Sequence, residues 1–171
     1  MVVAEDVESV SARITTPADV DGVLDVQRRS PGRSSSPEFR EYTARTIEDA
    51  SVLLLVAVTA TETVGWAMTK HFAEADPDAP AGHYLMGITV APHHRRKGVA
   101  TKLVQARLDW IRRRDDHAYY FTNARNTASI ALHKGFGFRE IARAPQFRGI
   151  PFDRGTGILF SLELDRTPTV R

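Results

Sequence analysis

Val52 to Val58 is an unbroken apolar run of Val, Leu and Ala, with polar turn residues beyond it. A run of that length predicts a strand buried on both faces. Upstream, Ala12–Thr15 predicts a first strand, and Thr16-Pro17-Ala18-Asp19 a helix start with proline in the first turn. Val20, Val23, Leu24 and Val26 recur at helical spacing and carry that helix to Arg29. Residues 30–37 are rich in Ser, Pro and Gly and read as a loop, followed by a second helix over Glu38–Asp49. Thr61-Glu62 marks a hairpin turn into a strand over Val64–Phe72. An acidic, proline-containing loop over 73–82 precedes a central strand, His83–Val90.

The longest helix is expected over Val99–Arg114, with Leu103, Val104, Leu108, Trp110 and Ile111 on its packing side. At that spacing Trp110 reads as core rather than as a ligand platform. Ala118-Tyr119-Tyr120-Phe121 follows as a strand. Asn126 is a good N-cap residue and opens a short helix, with Ile130 and Phe136 on its apolar side and Gly137 ending it. Phe138–Ala144 and Gly157–Leu164 close the chain as strands. Helices alternating with strands give a mixed α/β class. We expect a flexible tail over 1–11, one domain over 12–165 and a short tail over 166–171.

Composition narrows the chemistry. There are 171 residues, none of them cysteine, which removes disulfides, a thiolate zinc site and a cysteine nucleophile. No metal site is expected. No apolar run reaches the ~18 residues of a membrane helix. Glu5, Asp6 and Glu8 make the N-terminus unlike a secretory signal, so a cytoplasmic location without membrane contact is expected. The net charge is only +2, and Arg112-Arg113-Arg114 lies at a helix end, where cations complement the dipole. Nucleic-acid binding is therefore not expected.

One basic stretch remains. Ile88-Thr89-Val90 leads through Ala91-Pro92-His93-His94 into Arg95-Arg96-Lys97-Gly98-Val99-Ala100-Thr101. This reads as a strand, a basic turn and a helix opening on glycine. Helix starts leave backbone N–H groups unpaired at the positive end of the dipole, a geometry that binds pyrophosphate. Gly98 offers no Cβ to an approaching phosphate. A solvated basic turn would show the same residues.

Arg95 to Ala100 resembles the acetyl-CoA signature [QR]-x-x-G-x-[GA] of the GNAT N-acetyltransferase superfamily. Asn126-Thr127-Ala128-Ser129-Ile130-Ala131-Leu132-His133, continuing to Gly137-Phe138, resembles that family's later segment N-x-x-[AS]-x-x-L-[YH]-x-x-x-G-F. The resemblance implies a GNAT fold: a mixed, mostly antiparallel central sheet with flanking helices. Two parallel strands splay apart in it, here His83–Val90 and Ala118–Asn123. It implies acetyl-CoA as acyl donor and an amine as acceptor. Ile88, Thr89, Val90, Arg95, Arg96, Lys97, Gly98, Val99, Ala100, Thr101, Asn126 and His133 would hold the donor.

In catalytic roles, the resemblance gives the Val90 N–H to the thioester oxyanion. It places His133 where many members carry a tyrosine that acts as acid toward the leaving thiolate. A helix-surface histidine that only hydrogen-bonds the donor fits the same position. Many relatives carry a Glu on the central strand as base, whereas Tyr84-Leu85-Met86-Gly87 has none. Water linked to Tyr84, His83 or Tyr119, a loop carboxylate, or an amine of lowered pKa are the alternatives. In this fold the acceptor side comes from the first helix-loop-helix and the last strands, here about 28–42 and 145–156. Glu38, Tyr84, Tyr119 and Asp153 are the candidate acceptor contacts.

The acidic loop Glu74-Ala75-Asp76-Pro77-Asp78 favours a cationic small molecule, similar to the acceptors of aminoglycoside-modifying members. A protein N-terminus or lysine, and a non-catalytic acyl-CoA sensor, are the competing readings. Oligomeric state stays open, a homodimer included.

Overall fold

In the computed structural model, described for residues 9–165 apart from 34 and 153, seven strands are hydrogen-bonded in the order β1-β2-β3-β4-β5-β9-β6. These are β1 (Ser11–Ile14), β2 (Val52–Val58), β3 (Thr63–Phe72), β4 (Gly82–Val90), β5 (His117–Asn123), β6 (Arg139–Ala144) and β9 (Gly157–Glu163). A separate two-stranded hairpin joins β7 (Gln146–Phe147) to β8 (Ile150–Pro151). The helices are α1 (Val20–Arg29), α2 (Pro37–Glu48), α3 (Val99–Arg112) and α4 (Thr127–Lys134). Every element expected from the sequence is present, with ends shifted by a residue or two, except that the helix start expected at Thr16–Asp19 is a 3-10 turn over Pro17–Asp19 and α1 begins at Val20; the β7–β8 hairpin was not expected. No helix among the described residues is long and apolar enough to cross a membrane.

Contacts divide the chain into two compact units, and the division runs through β2, β3, β4 and α3. The first unit comprises Met1–Asp49, Leu54–Ala67 and Ile88–Leu103. Here β1 pairs antiparallel with β2, from Ser11↔Val58 to Ile14↔Leu55. Val23, Val26, Val56, Ala57 and Val64 are almost wholly removed from solvent. Each of the valines contributes about 1.5–3 kcal/mol of apolar burial. Pro37 occupies the first turn of α2, and the Ser36 side chain caps it by accepting from the Phe39 N–H. Gly65 matters for the site. A Cβ there would lie 3.1 Å from the Thr89 carbonyl oxygen and 3.3–3.4 Å from Leu103 and Val99. The bare backbone of β3 therefore seats the end of β4 and the first turn of α3.

The second unit comprises Ala50–Leu53, Met68–Gly87 and Val104–Arg171. β4 and β5 pair in parallel through His83↔Ala118, Tyr84↔Tyr119 and Leu85↔Tyr120. The observed register ends there, although β5 continues to Asn123 against β9. The family resemblance implied such a parallel pair. β9 pairs antiparallel with β5 and β6, and the β6–β9 register shifts between Glu140 and Ala142. Leu85, Leu108, Ile111, Phe147, Leu159 and Phe160 are buried. Trp110 is only partly buried: its edge meets His83 with centroids 5.5 Å apart, and the Arg114 guanidinium lies 3.7 Å over its ring.

Candidate functional site

Along the end of β4, the alternating pleat leaves Ile88 and Val90 partly open and turns Thr89 inward. The Thr89 hydroxyl is buried without a hydrogen-bond partner among the described residues. Thr89 was expected to meet the donor, but its side chain faces the interior. After Val90, the Ala91 N–H donates to the Val64 carbonyl (2.8 Å), and Pro92–His94 forms one 3-10 turn. Arg95 Nε donates back to the Val90 carbonyl at 3.1 Å, tying the turn to the strand.

Two residues of this turn are left-handed, Arg96 at φ 63° and Gly98 at φ 79°. A turn with left-handed residues of this kind can point successive N–H groups into one concavity that suits an anion. The first helical bond of α3 runs from the Lys102 N–H to the Gly98 carbonyl (3.0 Å), so the preceding N–H groups, at 98–101, have no acceptor in the helix. Arg95, Arg96, Lys97, Gly98 and Thr101 are exposed, while Val99 and Leu103 are buried and anchor the helix start. Nothing lies within 4 Å of where a Gly98 Cβ would be. The backbone turn, rather than crowding within the chain, explains glycine here.

A contact the sequence did not suggest supports the turn from below. His94 Nε2 lies 3.7 Å from Glu62 Oε1, and Glu62 Oε2 pairs with Arg29 Nη1 at 3.1 Å. Arg29 also donates to the Thr63 carbonyl. The hairpin before β3 and the end of α1 thus both brace the basic turn.

In the second unit, Asn126 caps α4: its Oδ1 accepts from the Ser129 N–H (3.4 Å) and its Nδ2 donates to Thr122 Oγ1 (3.1 Å). The hydroxyls of Tyr120 and Ser129 are hydrogen-bonded to each other. His133 is 1% exposed and lies flat on Tyr120, with centroids 3.7 Å apart and an interplanar angle of 6°. Its Nδ1 is 2.8 Å from the Ser129 carbonyl oxygen, so the proton sits on Nδ1. Nε2 is buried without a partner among the described residues.

Burial, reinforced by the nearby Arg107 charge, pushes the imidazole down to about 4 against the opposing pull of the Ser129 carbonyl. Arg107 is itself fully buried, donates to the Met68 carbonyl at 3.2 Å and is pushed down to about 9 by desolvation. At neutral pH His133 is therefore an uncharged ring whose proton is committed to a carbonyl. That is the opposite of what the expected acid requires.

The acceptor candidates separate. Glu38 sits in the exposed first turn of α2, its carboxyl held below the ordinary range mainly by the Ser36 hydroxyl. Tyr84 is completely buried and donates to the Pro80 carbonyl at 2.6 Å. Burial raises its phenol, and Arg148 opposes the shift. Tyr84 is not available to relay a proton from an acceptor. His83, the other proposed water partner, is buried against Asp115 Oδ2 (3.2 Å), and desolvation lowers it. Tyr119 is partly open, stacked on Tyr84 at 5.1 Å, and burial raises its phenol. Asp153 lies outside the described residues. No group of three His, Asp or Glu among the described residues is placed to hold a metal ion.

Comparison with known proteins bears on the family and the fold. The family model described as "Acetyltransferase (GNAT) family" matches residues 20–138. A rice protein, acetyl transferase GW6a, is 42% identical over 69 residues, 39% of this chain and 16% of that protein. The L-methionine sulfoximine/L-methionine sulfone acetyltransferase of Salmonella typhimurium is 36% identical over 80 residues, 46% of each chain. The matched stretches thus span less than half of these curated relatives. Among solved structures, the ribosomal-protein-S18-alanine N-acetyltransferase of Escherichia coli superposes with a TM-score of 0.72 at 17% identity, covering 95% of this chain and 99% of that one. Arabidopsis thaliana NAA60 in complex with acetyl-CoA gives 0.71 at 18%, covering 92% and 99%. At such identities the likeness is one of fold.

Proposed function

The chain belongs to the GNAT acetyltransferase family, and on that premise we propose that it moves an acetyl group from acetyl-CoA to a primary amine by direct attack. The observation that carries this reading is the left-handed Arg96–Gly98 turn opening onto the unpaired N–H groups of α3. Those N–H groups, with the charges of Arg95, Arg96 and Lys97, hold the pyrophosphate. Ile88 and Val90 offer strand backbone to the pantetheine arm. The thioester supplies an activated acyl group, and the Val90 N–H stabilises the oxyanion, an interaction worth about 3 kcal/mol.

Asn126 orients α4, since both ends of its amide are bonded within the protein. His133 packs flat on Tyr120, its proton committed to the Ser129 carbonyl. A thiol of pKa about 8.5 leaves as thiolate without a dedicated acid. The amine proton passes to water, with Tyr119 the one partly open phenol among the candidates.

The acceptor in this reading is a small-molecule amine, as the name of the Salmonella relative indicates for that protein. An aminoglycoside-type antibiotic, modified in the cytoplasm, is its cationic form, supported by Glu74, Asp76 and Asp78. The structural likeness to a ribosomal-protein acetyltransferase supports a peptide N-terminus as the second reading.

The test is thiol release from acetyl-CoA with aminoglycosides, polyamines, arylalkylamines and short peptides, with mass detection of product. One acetyl group gained by a panel member supports the enzyme and names its acceptor. Tight, phosphate-dependent acetyl-CoA binding without turnover favours a sensor. Absence of acetyl-CoA binding overturns the reading.

A further inference from the structure

The Arg148 side chain is 5% exposed, although it stands at the tip of a hairpin. It donates to the carbonyls of Glu74 (2.9 Å), Ala79 (3.3 Å) and Pro80, all in the loop between β3 and β4. Its guanidinium lies 4.5 Å over the Phe72 ring and 5.2 Å over Tyr84, and 3.8 Å from the Asp76 carboxylate. A planar fork engaging several carbonyls and two ring faces is a geometry lysine cannot copy. Arg148 (φ 51°) and Gly149 (φ 73°) form the hairpin turn that aims it. One side chain thus ties the β7–β8 hairpin to the acidic loop.

That tie holds one face of the β4–β5 pair. Tyr84 and Tyr119 are register partners and stack, so they share a face, and Met86 and Phe121 follow on it two residues later. Phe121 packs on Phe147 (5.9 Å) and Phe152 (6.1 Å) from the hairpin side. The other face carries Tyr120 against His133 of α4. Parallel pairing ends at Leu85↔Tyr120, so Met86 and Phe121 are the first side chains of this face beyond it. Phe72, Met86, Tyr119, Phe121 and Phe152 are each only partly buried there.

We propose that Arg148 is the positioning residue of the acceptor subsite. The apolar wall it holds selects a primary amine carried on a flat, uncharged group. The proposal rests on the acetyltransferase reading above and replaces its cationic acceptor with one whose amine is carried on an uncharged group, since Asp76 of the acidic loop faces Arg148. Arg148 and the Glu74, Ala79 and Pro80 carbonyls are consumed within the protein, and Asp76 faces Arg148. The wall itself offers rings and a thioether to the group beside the amine.

The experiment compares phenethylamine, spermidine and kanamycin as acceptors for the wild type, Arg148→Met, Arg148→Lys and Phe121→Ala, with acetyl-CoA affinity measured separately. The wild type is expected to prefer phenethylamine in kcat/KM. Arg148→Met and Arg148→Lys should raise its KM about tenfold, with kcat and acetyl-CoA Kd nearly unchanged. Phe121→Ala tests the wall without touching the clamp and should raise the same KM. Kanamycin or spermidine preferred over phenethylamine, or Arg148 variants with unchanged acceptor KM, overturns the proposal. Acetyl-CoA binding with no turnover of phenethylamine overturns it too, while leaving donor binding intact. Loss of acetyl-CoA binding in the wild type sinks the functional reading itself.

Discussion

Lowering the pH should expose the neutral state of His133 as a stability term. The ring is pushed from the ordinary 6.5 to about 4 because it is buried. A depressed histidine favours the native state only while the unfolded chain is also deprotonated. Its contribution is complete above about pH 6.5 and is lost as pH falls, because the unfolded state then binds a proton the native state refuses. Between about pH 7 and pH 4 the loss comes to roughly 3 kcal/mol for a single site shifted this far.

Urea unfolding followed by tryptophan fluorescence at several pH values measures it. His133→Gln keeps an N–H for the Ser129 carbonyl and removes the titration. The wild type should lose about 3 kcal/mol more than this variant across the range. His83, also lowered by burial, acts with the same sign in both proteins and cancels. Parallel stability curves, or a folded-state NMR titration of His133 near about 6.5, would refute the reasoning and reopen the acid role.

Two further outcomes follow from the backbone. Gly98→Ala forces a Cβ onto φ 79° and should cost about 1 kcal/mol in stability while weakening acetyl-CoA binding, both measurable by calorimetry. Asn126→Ala removes the α4 cap and should cost about 1 kcal/mol in thermal unfolding. Its acetyl-CoA Kd should barely move, because both ends of the amide already serve the protein.

Most of the fold was legible because its signals are local. The run Val52–Val58 is a strand buried at its five central positions, and Asn126 marks the start of α4; the helix itself ends at Lys134, before the left-handed Gly137 that was expected to end it. The basic turn was legible for the same reason. What escaped depends on partners distant in sequence. Tyr84 reads as an open phenol until the Pro80 carbonyl accepts its hydrogen bond and Arg148 covers its ring. His133 reads as an acid until Tyr120, Phe138 and Arg107 enclose it. The β7–β8 hairpin has strands of two residues, too short to show a period, and only Gly149 hints at its turn.

The register shift between Glu140 and Ala142 bears on how the protein behaves at high concentration. β6 is the last strand of its sheet, so its outer row of N–H and C=O groups offers a template for pairing with a neighbouring molecule. The shift leaves Ile141 half-exposed and breaks the regular spacing of that row. Arg143 donates to Glu140 in a two-pronged pair along the same strand, and Arg139 stands exposed at its start. A strand arriving from solution meets a kinked ladder and fixed charges instead of a flat edge. One irregular residue thus works as a guard against sheet-to-sheet aggregation.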